Sequence, residues 1–195
     1  ELIQSDRKNF ISVSKNYTES KIANIGVIQG LANGAPDVDA LFRLVFDNSD
    51  EFKFQNRLPL LIPKGTFAPF NSQVTIWRIE LLPLMYLPKT CTFRMTDIWR
   101  SFIAAHLMHL NGYELIFTSA SAFQDRNIHN LLRDFSEEVP GFLGNTQLVI
   151  ELRNVKVSGG VDNLAKDLKS VYQHLVAKEF FTKDELNSLE MWLKD

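Results

Sequence analysis

The sequence has little cysteine, no excess of either charge and no long apolar run, and each of these absences excludes a class of protein. Its single cysteine, Cys91, has no intramolecular partner, so the fold is not a disulfide scaffold. The 21 basic and 23 acidic residues leave a net charge of −2, which gives no electrostatic reason to expect a nucleic-acid partner. No stretch reaches the ~18 apolar residues needed to span a bilayer, because the densest run, residues 79–87, contains Glu80 and Pro83.

Several catalytic signatures are also missing. The chain contains no G-x-S-x-G elbow, P-loop, G-x-G-x-x-G or H-E-x-x-H motif, so serine hydrolases, P-loop NTPases, dinucleotide-dependent enzymes and zincins lack sequence support. The four histidines and Cys91 are too widely spaced for a structural zinc pattern. The first residue is Glu1 and no signal peptide is visible, so we expect any targeting or membrane-anchoring segment to lie outside this chain.

Hydrophobic residues make up 45% of the chain, and their spacing predicts one α/β domain with one core. We predict strands at residues 25–31 and 113–118, an edge strand or loop at 58–63, a short helix at 36–44, and a helix at 74–82 that ends at Pro83. The clearest helix covers residues 96–110, with Thr96 or Asp97 as its N-terminal cap and Asn111-Gly112 as its end.

The C-terminal part is predicted to be mostly helical from about residue 160. Residues 119–160 have weaker signals, which we interpret as a loose segment with a short helix at 127–138 and a strand at 148–155. Ser158-Gly159-Gly160 interrupts the chain before an apolar stripe of helical spacing. In the last helix, Thr182 and Glu185 have the spacing of a capping box, in which each side chain bonds the other residue's backbone N–H.

Asp37-Val38-Asp39 is the first segment that could carry chemistry. Two carboxylates two residues apart can reach one divalent cation where the backbone is extended or turned, and Mg²⁺ and Mn²⁺ accept such oxygen ligands. The alternative is structural, since Asp37 follows Pro36 and could cap a short helix.

Asp97 is the second candidate. It lies between Arg94 and the Trp99-Arg100 pair, in the first turn of the predicted helix 96–110. The helix dipole stabilises an ionised carboxylate at this end, and such a group can act as general base toward a sugar hydroxyl. The structural alternative is that Asp97 serves only as the helix cap.

Residues 124–129 form a dense polar cluster after a predicted strand. Arg126 could pair with a phosphate or a carboxylate through two hydrogen bonds, and His129 could act as a metal ligand or a base. A solvated loop is the alternative. Trp77 and Trp99 could each stack on a sugar, although a place in the core is the more common role for such a side chain.

These segments stand in the order of motifs found in the STELLO glycosyltransferase-like family. Residues 29–39 resemble its Q-G-x-x-N-G-x-P-D-V-D segment, and residues 69–75 resemble its P-x-N-S-x-N-T segment, with Val74 where the family often has Asn. Residues 96–102 are similar to its S/T-D-x-x-R-G-Y helix start, residues 111–113 to its G-G-Y turn, and residues 180–186 and 192–195 to its closing helices. The resemblance runs from about residue 24 to the end. A more distant one, to reversibly glycosylated polypeptides that act as UDP-arabinopyranose mutases, rests on residues 36–40 and 97–99.

The resemblance implies a GT-A-like α/β fold, of which residues 1–195 are one partial domain, the acceptor-side half, with a helical C-terminal end. It also implies a UDP-sugar donor, a Mn²⁺ or Mg²⁺ ion, a glycan or protein acceptor, and a place in the Golgi lumen as part of a type II membrane protein; a cytoplasmic location is the alternative. The family's principal metal-binding acidic motif is expected upstream of Asp37. We therefore assign Asp37 and Asp39 to the substrate edge rather than to that motif.

Three functions remain open from the sequence. The first is sugar transfer, with Asp97 as the catalytic base or charge stabiliser. The residues assigned to substrate binding are Asp37, Asp39, Asn71, Trp99 and Arg126. The metal ligands stay undetermined, with His129 as a candidate, because the family's histidine is not in register here. The second function is a non-catalytic interaction domain that assists assembly or trafficking of polysaccharide-synthesising complexes through protein partners in the Golgi. The third is an α/β domain of unrelated function.

Overall fold

A computed structural model describes residues 24–46, 52–55, 59–125 and 129–194. These residues form an α/β fold with a four-stranded mixed sheet and a helical C-terminal part, as the sequence predicts. The strands are β1 (Ile25–Gly34), β2 (Leu60–Ile62), β3 (Thr75–Trp77) and β4 (Glu114–Gln124). The α-helices are α1 (Ala40–Val45), α2 (Thr96–Leu110), α3 (Leu131–Asn154), α4 (Leu164–Ala177) and α5 (Asp184–Trp192), and short 3-10 helices cover Ile79–Met85, Phe93–Met95 and Val161–Asn163.

The sheet has the order β2-β4-β1-β3 and is parallel only at its centre. Strands β1 and β4 pair in parallel along their whole length, whereas β2 and β3 pair antiparallel on the two edges. The strands predicted at 25–31 and 113–118 and the edge strand predicted at 58–63 are confirmed, and the two central strands extend further than predicted. The carboxyl ends of β1 and β4 therefore lie side by side, the position at which open α/β sheets bind ligands.

The helix predicted at residues 74–82 is wrong. Residues Thr75–Trp77 form the edge strand β3, whose Thr75 stands opposite Gln29 of β1. The Arg78 N–H continues this pairing by donating to the Gly26 carbonyl over 2.9 Å. Pairing with β1 satisfies backbone groups that a helix would also satisfy, and the β-branched Thr75 and Ile76 suit the strand. Pro83 does not end the following element, because it lies inside the 3-10 helix Ile79–Met85.

Residues 119–160 also differ from the prediction, because α3 is one helix of 24 residues and no strand forms at 148–155. Its buried side chains recur at helical spacing: Glu138, Leu148, Val149, Glu151 and Leu152. Pro140-Gly141 resembles a turn signal, yet the helix continues through it. A side chain at Gly141 would collide with Met95, so the glycine permits a close helix contact here rather than a turn.

Helix α2 is confirmed over the predicted residues 96–110, and it ends at Asn111 and Gly112, which has φ 77°. The predicted cap is wrong. Met95 occupies the N-cap position without a side-chain bond, because the 3-10 helix Phe93–Met95 leads directly into α2. Thr96 instead bonds backward, its hydroxyl donating to the Phe93 carbonyl over 2.8 Å. Every residue from Trp99 to His109 is buried, so α2 is the central helix of the core.

The helical C-terminal part is confirmed, although it begins at Leu131 rather than near residue 160. The predicted capping box at Thr182 and Glu185 is wrong. Lys183 occupies the N-cap position of α5, and the buried Glu185 carboxylate turns inward to accept hydrogen bonds from the loop at residues 86–90. No helix within the described residues is long and apolar enough to cross a membrane.

Candidate functional site

Three of the sequence segments singled out above meet beside β1. Gln29 on β1 donates from Nε2 to Asn71 Oδ1 over 3.2 Å, and the Thr75 hydroxyl donates to Gln29 Oε1 over 3.0 Å. The Gln73 N–H donates to the same Asn71 oxygen over 3.1 Å. The loop at residues 69–74, called the Asn71 loop below, is thus fixed to the sheet by side-chain hydrogen bonds. Asn71, predicted to bind substrate, uses its oxygen to hold this loop in shape.

The Asn71 loop reaches the first turn of α2 through Ser72. The Ser72 N–H donates to Asp97 Oδ2 over 3.1 Å. Arg100, one turn further along α2, donates from Nη2 to Ser72 Oγ over 3.0 Å and to the Asn71 carbonyl over 3.4 Å. Asp97, the predicted catalytic residue, therefore lies at the junction of the loop and the helix.

Burial raises the pKa of the half-buried Asp97 carboxyl above its ordinary value, although the Ser72 N–H and the Arg100 charge act in the opposite direction. The negative charge of Asp37 raises this pKa further, so the two carboxylates are electrostatic neighbours. A carboxylate with a raised pKa accepts a proton more readily than a solvated aspartate. The site thus contains a group suited to general base chemistry.

Asp37 lies beside Arg94, with 3.6 Å between Asp37 Oδ1 and Arg94 Nη1. Arg94 donates two further hydrogen bonds, of 3.0 and 2.8 Å, to Oε1 of Glu138 on α3. The other Glu138 oxygen accepts from the Ala40 N–H at the start of α1 over 2.8 Å. The turn that carries Asp37 is therefore held from two sides by the Arg94–Glu138 pair.

Asp39 has a structural role. Its Oδ1 accepts from the Phe42 N–H over 2.7 Å and caps α1. The helix-cap alternative for the Asp37-Val38-Asp39 segment is thus realised, but at Asp39 rather than at Asp37. The two carboxylates are used differently, and Asp37 is the one that neighbours Asp97.

The remaining predicted residues lie apart from this junction. Trp99 is 6% exposed, donates to Asn145 Oδ1 over 3.0 Å and contacts the edges of Phe180 and Phe181, so it occupies the core. Arg126 lies outside the described residues. His129 is exposed and has Nδ1 3.2 Å from Oδ2 of Asp134. The prediction that these residues contact substrate or metal stays a prediction.

The described residues do not form a complete metal site. Within them, no group of three or more His, Cys, Asp or Glu side chains is placed to hold an ion. Asp39 is used as a cap, and Asp37 lies beside the positive charge of Arg94, which opposes a nearby cation.

Sequence reasoning missed three residues that organise the site, namely Gln29, Arg100 and Glu138. Arg100 had a detectable signal, because side chains three positions apart share one face of a helix, which places Arg100 beside Asp97. Its guanidinium carbon lies 5.4 Å from the ring centre of Phe70 and 5.0 Å from that of Trp77. Glu138 had no such signal, since its partners are 44 and 98 positions away in the sequence.

Comparison with known proteins matches the segment that carries Asp97 and Arg100. A sequence model of the family described as STELLO glycosyltransferases matches residues 94–195, more than half of the 195 residues. The chain belongs to the STELLO glycosyltransferase family. This membership supports a glycosyltransferase-like function for the chain.

Two relatives from Arabidopsis thaliana are "Probable glycosyltransferase STELLO1" and "Probable glycosyltransferase STELLO2", each 26% identical to this chain over 121 and 122 residues, respectively. The matches cover 60% of this chain but 16% of either relative, so the chain spans about a sixth of the relatives' length. The family match begins after Asp37 and Asn71. The resemblance over residues 24–93 and the distant one to reversibly glycosylated polypeptides stay predictions, as does the division into an acceptor-side half.

Proposed function

We propose that this chain forms the acceptor side of a sugar-transfer site in a protein that uses a UDP-sugar donor with Mn²⁺ or Mg²⁺. The observation that carries the proposal is the setting of Asp97, a half-buried carboxylate of raised pKa at the junction of the Asn71 loop and α2. An acceptor hydroxyl must lose its proton as its oxygen bonds the sugar's anomeric carbon, while the bond from that carbon to the diphosphate oxygen breaks and UDP leaves with the electron pair. Asp97 is the group proposed to take that proton.

Asp37 and the Asn71 loop would shape the space next to this base. The Asp37 charge raises the pKa of Asp97, which strengthens it as a proton acceptor. Fixing a reactive group in one geometry lowers the entropy lost on reaching the transition state, and the bonds from Gln29 and Ser72 supply that rigidity here. The donor diphosphate and its metal would be held by residues outside those described, with Arg126 as a candidate contact to the phosphates.

The acceptor, a glycan or a protein, and a place in the Golgi lumen within a type II membrane protein belong to the same proposal. They are what the resemblance to the family implies. Protease protection of the full-length protein in intact Golgi vesicles checks the location: a protected domain supports the lumen, and a digested one supports the cytoplasmic alternative.

Two measurements on the full-length protein test the sugar-transfer proposal. Calorimetric titration with UDP and UDP-sugars, with and without Mn²⁺, is expected to show metal-dependent binding. Asp97→Asn is then expected to keep donor binding but to lower transfer by about 10²- to 10⁴-fold, the usual contribution of a general base. Asp162→Asn, which alters an exposed aspartate of a 3-10 helix, is the matched control and should leave transfer unchanged.

The outcomes separate the open functions. Donor binding together with full activity in Asp97→Asn would remove Asp97 from the chemistry while keeping the transferase. No donor binding in a well-folded full-length protein would instead favour the non-catalytic interaction domain, and the search would turn to protein partners.

A further inference from the structure

Arg100 is an unusual residue for the centre of this core. It is 3% exposed, and its guanidinium lies against the rings of Phe70 and Trp77. Burying a charged group is costly unless every donor finds a partner. The Nε of Arg100 is nevertheless buried without a hydrogen-bond partner among the described residues. An apolar side chain of similar length would fill this place at a lower cost in free energy.

Among the described residues, both hydrogen bonds that Arg100 donates go to the Asn71 loop. Its Nη2 donates to Ser72 Oγ and to the Asn71 carbonyl, which are groups of the loop that meets Asp97. Its charge also acts on Asp97 directly, one helical turn away. Thus Arg100 hydrogen-bonds the loop that carries the Ser72 N–H, and its charge acts on the carboxylate that this N–H binds.

We propose that Arg100 is a positioning residue for Asp97: its guanidinium, which lies over the rings of Phe70 and Trp77, fixes the Asn71 loop so that the Ser72 N–H meets Asp97 Oδ2. This inference rests on the proposed function of Asp97 for its catalytic meaning. The coupling of Arg100 to the Asp97 carboxylate is independent of that proposed function.

The planar guanidinium is required in this role. The guanidinium lies over both rings, and its Nη2 reaches two oxygens of one loop at once. A lysine ammonium would keep the positive charge but not the flat surface that contacts the rings. Arg100→Lys therefore separates the charge from the geometry.

Removing Arg100 should alter Asp97 in a predictable direction. The Arg100 charge and the Ser72 N–H both oppose the effect of burial on the Asp97 carboxyl. Arg100→Met removes the charge and releases the loop, so the pKa of Asp97 should rise, because an opposite charge nearby favours the ionised carboxylate. Arg100→Lys should give a smaller rise.

The experiment is a carboxyl-carbon NMR titration of this 195-residue chain, with Asp97→Asn to assign the Asp97 signal. The variants are Arg100→Met, Arg100→Lys and Ser72→Ala, which removes the hydroxyl that receives Nη2 but keeps the Ser72 N–H. Arg78→Met is the control, because Arg78 is exposed and pairs with Glu80 on the surface. The control should leave the titration of Asp97 unchanged.

A second readout separates positioning from ordinary structural support. We expect Arg100→Met to keep or raise the thermal unfolding temperature, because it removes a buried charge with an unpartnered donor, while the titration of Asp97 shifts. An unshifted Asp97 in folded Arg100→Met would overturn the proposal. If Arg100→Met does not fold, an unshifted Asp97 in both Arg100→Lys and Ser72→Ala would overturn it equally.

Failure of the proposed function would look different. Full transfer activity in Asp97→Asn would remove the catalytic role of Asp97, whereas the titration would still report whether Arg100 holds it. In the active protein, Arg100→Lys should also move the acidic limb of the pH–rate profile to higher pH and lower kcat more than it changes KM for the donor.

Discussion

Two carboxylates occupy the first turns of two helices in this molecule, and their surroundings differ. Glu185 of α5 is fully buried and accepts hydrogen bonds from the Lys89 N–H, the Thr90 N–H and hydroxyl, and the Tyr86 hydroxyl. Asp97 of α2 is half-buried and accepts one hydrogen bond from another segment among the described contacts, that of the Ser72 N–H. The same local position thus carries a saturated carboxylate in one place and an under-satisfied one in the other.

The difference separates an anchor from a reactive group. Glu185 closes the loop at residues 86–90 onto α5, and its oxygens are occupied in doing so. The pKa of its partner Tyr86 is raised, first by burial and then by the hydrogen bond to Glu185. Asp97 faces the Asn71 loop with a raised pKa of its own. Burial of an acidic side chain alone therefore does not mark a site.

The largest expected effect comes from breaking the anchor. Glu185→Gln keeps the size of the side chain but turns one acceptor into an N–H donor that faces other donors. Since buried donors left unpaired cost about 1–3 kcal/mol each, we expect the free energy of unfolding to fall by about 3 kcal/mol. Urea denaturation at pH 7 measures it.

Glu190→Gln on the same helix is the matched control, because Glu190 pairs with Lys169 at the surface. It should change the urea midpoint little. A Glu185→Gln midpoint close to that of this control would show that the four donors find other partners, and the anchor interpretation would be wrong.

His106 is a third titratable group to set beside Glu185 and Asp97. His106 is 8% exposed, its Nε2 has no hydrogen-bond partner among the described residues, and its ring stacks on Phe67. Burial, with the nearby charges of His109 and Arg153, lowers its pKa to about 4. The pKa of His109 is also lowered, first by burial and then by the charge of Lys64.

The sign of the pH effect follows from these shifts. An unfolded histidine has a pKa of about 6.5, so the unfolded state binds the proton first as the pH falls. The stability of the neutral, buried His106 is complete above pH 6.5 and is lost between about 6.5 and 4. We expect this loss to reach about 3 kcal/mol at pH 4, from 1.36 kcal/mol per pKa unit.

His106→Phe isolates that contribution, because a phenyl ring can keep the stack on Phe67 but cannot titrate. The difference in unfolding free energy between the parent chain and His106→Phe should grow in favour of the variant from pH 7.5 to pH 5. A difference independent of pH would show that folding leaves the pKa of His106 unchanged.

The sequence predicts the elements whose signal is local. The helical spacing of residues 96–110 and the short apolar run at residues 25–31 predict their elements correctly because each signal lies within the element itself. The segment at residues 74–82 fails because pairing of Thr75 with Gln29, 46 positions away, outweighs its helical spacing. The helix end predicted at residue 138 fails similarly, since the helix continues through Gly141, which serves contact with Met95.

The residues of the candidate site also separate into those that a local motif predicts and those that only the folded chain brings together. Asp97 and Asp37 are found from their motifs, but which of the paired aspartates caps α1 depends on the backbone at Asp39. Glu138 and Gln29 reach the site only through contacts made by the folded chain. Likewise Thr182 and Glu185 have the spacing of a capping box. The Glu185 carboxylate instead accepts hydrogen bonds from four donors in the loop at residues 86–90, which is distant in the sequence.

A smaller effect concerns Cys91, which lies close to the anchor. Burial, followed by the charge of Glu185, raises the pKa of its thiol to about 12. Because the thiolate is the reactive form, alkylation by iodoacetamide at pH 8 should be at least about 100-fold slower in the native chain than in urea. Mass spectrometry follows the single label, and equal rates would contradict the raised pKa.

The smallest expected change in stability comes from Asp97→Asn. An acid whose folded pKa is raised above its unfolded value is destabilising at pH 7, since folding disfavours the ionised form. Asparagine removes that charge and keeps an oxygen for the Ser72 N–H, so we expect unfolding free energy to stay within about 1 kcal/mol of the parent or to rise. Urea denaturation beside Glu185→Gln gives the contrast under one set of conditions. A loss as large as that of Glu185→Gln would make Asp97 a second anchor, whereas a stable but inactive Asp97→Asn would show a residue kept for chemistry at the expense of stability.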